Sequence, residues 1–454
     1  MLKSKSTYKY LDFVKFSQLY NWSVQYLNDS KIRFTTKYPL VQIKEFLTRN
    51  KTTITVQDEI TYQRVTIRVR NGGVIPRDKV KGTEIGTKKQ FRVSVGQFIL
   101  SKIDARNGAM GIIPEKLDGA IVTQDFLAYD VDTTKINPQY LVLVSTTKQF
   151  IDFCQSCSSG TTNRQRVDED KFLNIKVPVP PLDEQNRLVE EYNAAILEQS
   201  HIANKILSIE NDMWNFFNHK LFIKDEISDR SATKDIGLKF LYFANFRNIN
   251  QWGVDFIKGN YVNIYAKYPT LSINNICKIG SGGTPSRSNK TYFNGDIPWI
   301  KTGELLDDYI FSTEEYISEE GLLNSSAKWY PENSIIIAMY GATIGKTAKL
   351  GIKSTTNQAC AVLYDFNDCV IEDYVWLYLQ SQKERLKQQA YGGAQPNINA
   401  SIIANYSIPI PPIEVQTELV SIVCKKKAEI KSLEQEIKNI ANKVSITFEN
   451  QIFD

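Results

Sequence analysis

Two stretches of the chain carry their apolar residues at alternating spacings of four and three. From Leu188 the series runs through Tyr192, Ala195, Gln199, Ile202, Ile206, Ile209 and Met213 to Phe216; from Leu419 it runs through Val423, Lys426, Ile430, Leu433, Ile437 and Ile440 to Val444. A heptad seam sustained this long predicts a coiled-coil helix rather than a helix lying on its own domain. Adding 231 to each of the first eight positions of the first series gives the second, so both helices carry one seam in one register. That repetition predicts that they pair with each other, most simply antiparallel. Each is preceded by Pro-x-Pro-Pro, Pro178–Pro181 and Pro409–Pro412, and proline suits the entry to a helix because its fixed φ fits the first turn and its missing N–H is not needed there.

Ahead of the helices the pattern is strand-like. Val95-Gly-Gln-Phe-Ile-Leu-Ser-Lys102 leads to Ala105 and Gly108, and Glu332-Asn-Ser-Ile-Ile-Ile-Ala-Met339 leads to Ala342 and Gly345. Both predict a strand-turn-strand element. The second includes Tyr340-Gly-Ala-Thr-Ile-Gly-Lys-Thr347, which has the flavour of a phosphate-binding loop. That loop needs four residues between its first glycine and Gly-Lys-Thr, followed by a helix whose N-terminus holds the phosphates. Here Gly341 and Gly345 enclose only three residues, and the Gly-broken Ala-Lys-Leu-Gly-Ile-Lys follows. A turn is expected, not an ATPase site.

The repetition extends along the chain. Trp22, Val24 and Lys37-Tyr-Pro39 recur as Trp252, Val254 and Lys267-Tyr-Pro269; Val177–Pro181 with Gln185, Leu188 and Val189 recurs as Ile408–Pro412 with Gln416, Leu419 and Val420. The offset stays at 230 to 231 throughout, which identifies a tandem duplication of a unit far longer than a solenoid repeat. The expected organisation is a first domain over residues 1–181, a first helix over 182–222, a linker over 223–238, a second domain over 239–411 and a second helix over 412–450. The polar, aperiodic Lys224–Gly237 forms the linker. The fold class is α+β, a tandem duplication of an α/β domain followed by a long helix.

Composition narrows the chemistry. With 42% hydrophobic and 23% charged residues the chain reads as globular, and no apolar run approaches a membrane span or a signal core; a cytoplasmic protein with no membrane partner is expected. Six cysteines and two histidines, His201 and His219, leave the Cys154–Cys157 pair without the further ligands that a zinc site needs, so reduced thiols and no metal are expected. A nuclease-like cluster could be forced from Asp168-Glu-Asp-Lys171, but acid-acid-acid-Lys on a surface turn is usually a solvated patch, and that is the reading expected here. The net charge of +5 permits an anionic partner without requiring one.

In the second copy, Gly282-Gly-Thr-Pro-Ser286, Gly295-Asp-Ile-Pro-Trp-Ile-Lys301, Tyr340–Lys346, Asn357-Gln358, Asn397 and Ile408–Pro412 resemble the specificity (S) subunit of type I restriction-modification systems. The first copy resembles another variety of the same domain through Gly73-Val-Ile-Pro76, Gly96–Lys102, Gly111-Ile-Ile-Pro114 and Pro178–Gln185. The resemblance implies two target recognition domains, each reading half of a split DNA target, and two helices in an antiparallel coiled coil. It also implies partners: double-stranded DNA, two modification (methyltransferase) subunits that carry S-adenosylmethionine, and restriction subunits that use ATP and Mg2+ to translocate and cut. This chain would itself hold no cofactor and perform no catalysis.

Base edges are read mainly in the major groove while lysine and arginine hold phosphates. The candidate DNA-binding residues in copy one are Arg68, Arg70, Lys102, Arg106, Asn163, Arg164 and Arg166; in copy two they are Ser286, Arg287, Lys290, Lys301, Tyr340, Lys346, Gln395 and Asn397. The stretches Thr161–Arg166 and Gly392–Asn397 stand out because they occupy the same place in the repeat. Two rival readings remain at this point: the specificity subunit of a type IIB or IIG-like methylation system, and a duplicated protein-interaction scaffold that binds no DNA.

Overall fold

The computed structural model describes residues 36–69, 72–159, 166–222, 266–390 and 397–453. The Lys224–Gly237 linker and the repeat anchors Trp22, Val24, Trp252 and Val254 lie outside them. The chain divides into two compact units, one within Met1–Ile202 and Glu436–Asp454, the other within Ala203–Gln435.

Both units are built on the same antiparallel sheet. In the first its order is Leu47–Arg49, Phe126–Val131, Phe98–Ser101, Met110–Ile112; in the second it is Lys278–Ser281, Cys360–Tyr364, Ile335–Ala338, Thr347–Leu350, with Tyr309–Ile310 added at the edge. Every residue of Phe98–Ser101 and of Ile335–Ala338 is buried, as expected of central strands covered on both faces. Each unit also has a small antiparallel pair that closes it, Leu40–Gln42 with Lys176–Pro178 and Thr270–Ser272 with Ser407–Pro409, in matching register.

The units differ in what is inserted between the first and third strands of the shared order. In the first, residues 50–97 build most of a five-stranded sheet, ordered Thr53–Thr55, Lys89–Arg92, Ile121–Val122, Thr61–Ile67, Val74–Lys81. In the second, residues 282–334 supply short turns and most of a three-stranded sheet of Tyr316–Ile317, Ile297–Ile300 and Thr355–Thr356. Duplication has kept the scaffold and let the insert diverge.

The long helices span Leu182–Leu221 and Ile413–Phe453, 40 and 41 residues, or about 60 Å each at 1.5 Å per residue. A buried glutamine fixes the start of each. Gln185 donates to the carbonyls of Pro180 (2.8 Å) and Lys135 (3.3 Å) and accepts from the Asn137 N–H (2.7 Å). Gln416 donates to Pro411 (2.9 Å) and Cys369 (3.0 Å) and accepts from the Ile371 N–H (2.8 Å). Both side chains are fully buried, so every polar atom of the amide needs a partner and finds one. Tyr140 and Tyr374 repeat the theme, donating to the Pro178 carbonyl at 2.9 Å and the Pro409 carbonyl at 2.6 Å.

The helices run antiparallel. In the first unit Phe448, Ile452 and Phe453, at the end of the second helix, join the core that holds Leu188 and Val189 from the start of the first. In the second unit Met213, Phe217 and Leu221, at the end of the first helix, share a core with Leu419 and Val423, and Lys220 pairs with Glu418 at 3.1 Å. Along the seam Leu188, Ile209, Met213, Leu419, Val423, Ile430 and Leu433 are buried, and Tyr192, Ile202, Ile206, Ile437, Ile440 and Val444 are half-buried. Off the seam, Leu197 and Leu207 are 59% and 56% exposed, so burial follows the heptad and not hydrophobicity alone. In the second unit Lys427 adds a further tie, donating to Gln380 Oε1 at 2.5 Å and the Asp307 carbonyl at 3.3 Å; burial lowers its pKa.

Candidate nucleic-acid interface

The strand-turn-strand elements gather candidate residues in both units. In the first, a turn at Ala105–Asn107 joins the strands, with Gly108 closing it at φ +77°. Lys102 leaves the first strand here; its N–H donates to the Asp125 carbonyl at 2.7 Å and its carbonyl accepts from Val167 at 2.9 Å. Arg166 reaches the same point and pairs with Asp125 at 3.1 Å. Lys102, Asp125 and Arg166 are thus brought together, with Arg106 half-buried on the turn, where its carbonyl accepts from Gln155 Nε2 at 3.2 Å. Asn163 and Arg164 lie outside the described residues, as does Arg70.

In the second unit the turn is Gly341–Thr343, and Thr347–Leu350 after it is a strand, not a helix. Gly345 at φ +75° lets the chain double back, with the Ala338 N–H donating to the Lys346 carbonyl at 2.9 Å. An L side chain is rarely accommodated at such an angle, which explains both glycines of the stretch without a phosphate. Tyr340, 45% exposed, bridges to Asn397 across the backbone, and the Ile398 N–H donates to the Met339 carbonyl at 2.9 Å. Tyr340, Lys346 and Asn397 therefore cluster as Lys102 and Arg166 do. Gln395 lies outside the described residues.

Of the remaining candidates of the second unit, Arg287 and Lys301 line a cleft of about 480 Å³ together with Thr284, Trp299, Glu304 and Asn357 among others. Arg287 lies over the rings of Phe293 and Trp299, 4.3 and 5.1 Å from their centroids, and pairs with Glu315 at 2.7 Å. Lys301 pairs with Glu315 at 2.8 Å and Glu314 at 3.2 Å, contacts that raise its pKa. The two cations are thus neutralised within the cleft. Lys290 and Ser286 are exposed nearby, Ser286 sharing a hydrogen bond with Ser288 at 2.8 Å.

Some residues that motif reading singled out are structural. A Cβ on Gly282 would stand 2.1 Å from the Asn357 carbonyl oxygen, and one on Gly283 2.2 Å from the Ala327 nitrogen, so this Gly-Gly serves close backbone packing. Asp168 caps the helix Glu169–Leu173 by accepting from the Lys171 N–H, and Glu169 pairs with Arg49 at 3.1 Å. No group of three or more His, Cys, Asp or Glu able to hold a metal occurs among the described residues. Cys154 and Cys157 are both buried and unpaired, and burial pushes the Cys157 thiol up to about 11.

One feature went unread in the sequence. Arg68 is exposed at the turn of the hairpin Thr61–Ile67/Val74–Lys81, its N–H donating to the Gly73 carbonyl at 2.9 Å, and Arg77, Lys79 and Lys81 are exposed along the edge strand. Residues 50–97 hold ten Lys/Arg against four Asp/Glu, a net +6; residues 282–334 hold four against nine, a net −5. The whole-chain charge of +5 conceals this opposition, which a charge tally taken insert by insert reveals.

Comparison with known proteins agrees with this architecture. A family model described as the type I restriction modification DNA specificity domain matches residues 13–208 and again 266–442. The chain is similar to the type I restriction enzyme EcoR124I/EcoR124II specificity subunit of Escherichia coli, at 29% identity over 160 residues, 34% of this chain and 39% of that protein. It is similar to the type I restriction enzyme HindI specificity subunit of Haemophilus influenzae at 22% identity over 78% of this chain and 87% of that one. Among solved structures, a chain from work on complex assembly and conformational transition of the type I R-M system shares the fold, with a TM-score of 0.53 at 15% identity, covering 91% of this chain and 96% of that one. With both halves of its repeat matched, the chain belongs to the type I restriction modification DNA specificity family.

Proposed function

We propose that this chain is the non-catalytic specificity subunit of a type I restriction-modification complex and reads a bipartite duplex target, one half with each recognition domain. The observation that carries the reading is a constant scaffold bearing two unlike inserts. One fold held twice in the same way, with its insert free to differ, is what reading two different half-sites requires. The residues proposed to face DNA are those at the strand-turn-strand ends, Lys102, Arg106, Arg166, Tyr340, Lys346 and Asn397, together with Arg68 and the rim of the second unit's cleft. Asn163, Arg164 and Gln395 adjoin the first set in sequence.

The long helices hold the two readers at a set separation and offer a platform for two methyltransferase subunits. Those partners supply S-adenosylmethionine chemistry on adenine, and restriction subunits supply ATP- and Mg2+-dependent cleavage, in the cytoplasm. Co-expression with the neighbouring methyltransferase gene in a methylation-free host, followed by long-read mapping of modified adenines, tests this directly. A single split motif that appears only when both genes are present is the expected result. Methylation unchanged by deletion of this chain overturns the reading.

A further inference from the structure

Resting on that reading, we propose that the two recognition domains grip DNA unequally. The insert of the first domain supplies most of the phosphate contacts through the outer side of its five-stranded sheet, and the second domain reads with few.

The hairpin geometry carries the argument. Tyr62 pairs with Val80 and Ile67 with Val74 across it, and of these Tyr62, Ile67 and Val74 are buried. The alternation of a strand sends the neighbouring pairs, Thr61 with Lys81 and Gln63 with Lys79, to the other face. Between them Arg64 stands opposite Arg77 and Asp78 in a bulge and takes Asp78 in a two-pronged pair at 2.7 and 2.6 Å. The only carboxylate of the two strands is thereby spent on Arg64, and Lys79 and Lys81 form no ion pair among the described residues; Arg77 reaches Asp78 only at 3.9 Å. Lysine on an edge strand can serve merely to block strand pairing, but that role calls for one or two charges. It does not account for a net +6 across the insert.

The second insert is arranged in the opposite sense. Its net charge is −5, and Arg287 is held by Glu315 and Lys301 by Glu314 and Glu315. A phosphate approaching that cleft must compete with two carboxylates. Such a domain discriminates through hydrogen bonds to base edges, where glutamate accepts from cytosine, more than through charge.

The test uses the complete complex with its methyltransferase subunits and a duplex of random sequence, titrated from about 50 to about 200 mM salt, because each phosphate neutralised adds about 0.9 to the slope of log affinity against log salt. Replacing Arg77→Gln, Lys79→Gln and Lys81→Gln together is expected to flatten the slope by about 2.7, so that the wild-type advantage shrinks roughly 40-fold across that range. The methylated motif stays the same. Removing the same charge from the second domain with Lys278→Gln, Lys328→Gln and Lys353→Gln is expected to change the slope by less than about one contact's worth. Equal slopes for the two triple variants, or an unchanged slope in the first, overturn the proposal while leaving specific reading intact. Failure of the wild-type complex to bind any duplex removes the DNA reading and this proposal with it.

Discussion

Gln185 and Gln416 are 231 positions apart and make the same three hydrogen bonds. Replacing either by methionine keeps the volume but strands an amide N–H and two carbonyls, and an unpaired buried group costs about 1–3 kcal/mol. Gln185→Met is therefore expected to lower the denaturation midpoint of the first unit, and Gln416→Met that of the second. Equal effects of both on one unit, seen by hydrogen exchange, would contradict this. The cysteines give a second check. Cys154, Cys157, Cys277 and Cys360 are buried, while Cys369 and Cys424 are exposed; burial raises Cys277 to about 12, and thiolate is the reactive form. Alkylation of the native protein at neutral pH followed by mass mapping should modify Cys369 first, Cys424 more slowly because partial burial raises its thiol pKa, and spare the Cys154–Cys157 pair. Glu184, drawn down to about 2 by hydrogen bonds from Arg187 and also bonded by the Tyr38 hydroxyl, adds stability above the ordinary carboxylate range that fades as pH falls toward that value. A carboxyl NMR titration with an ordinary midpoint would refute it. The sequence marked both glutamines as repeat anchors but not their task, because their partners are backbone atoms that carry no residue signature.

Among the elements, the end of the second long helix belongs to the core of the first unit. Ile452 is fully buried there, and truncating such a side chain to alanine costs about 2–5 kcal/mol. Ile452→Ala is thus expected to speed amide exchange in strands such as Phe98–Ser101 and to spare Ile335–Ala338; the reverse pattern would show that the helices pack otherwise. The heptad seam made the long helices legible, since one period persisted through eight shared positions. The runs Phe98–Ser101 and Ile335–Ala338 were legible as strands because each is a short, largely apolar run leading to a glycine-bearing turn at the same place in the repeat. The inserts were not. In the second insert the strands Tyr309–Ile310 and Tyr316–Ile317 are two residues long, below the length at which alternation can be recognised, and both inserts complete their sheets with strands from beyond their own ends, Ile121–Val122 and Thr355–Thr356. Of the candidate site, the chain revealed which turns recur but not that Arg287 and Lys301 share Glu315, since an ion pair between residues this far apart in sequence leaves no spacing to read.

For the molecule as a whole, the proposed reading gives the long helices the role of a spacer between two readers. Inserting one heptad in both preserves the seam and adds about 10 Å, roughly three base pairs of duplex. The expected outcome is a methylated motif whose two halves are unchanged and whose unspecified spacer is longer; altered halves around an unchanged spacer, seen by methylome mapping, would sink the ruler idea. Gln185 and Gln416 bear on how far the two copies can differ in sequence. Each holds its domain only by main-chain atoms, the Lys135, Pro180, Cys369 and Pro411 carbonyls and the Asn137 and Ile371 amides. These hydrogen bonds constrain the backbone path beside each helix start and not the side chains there, so that Lys135 and Asn137 in one copy and Cys369 and Ile371 in the other serve the same joint.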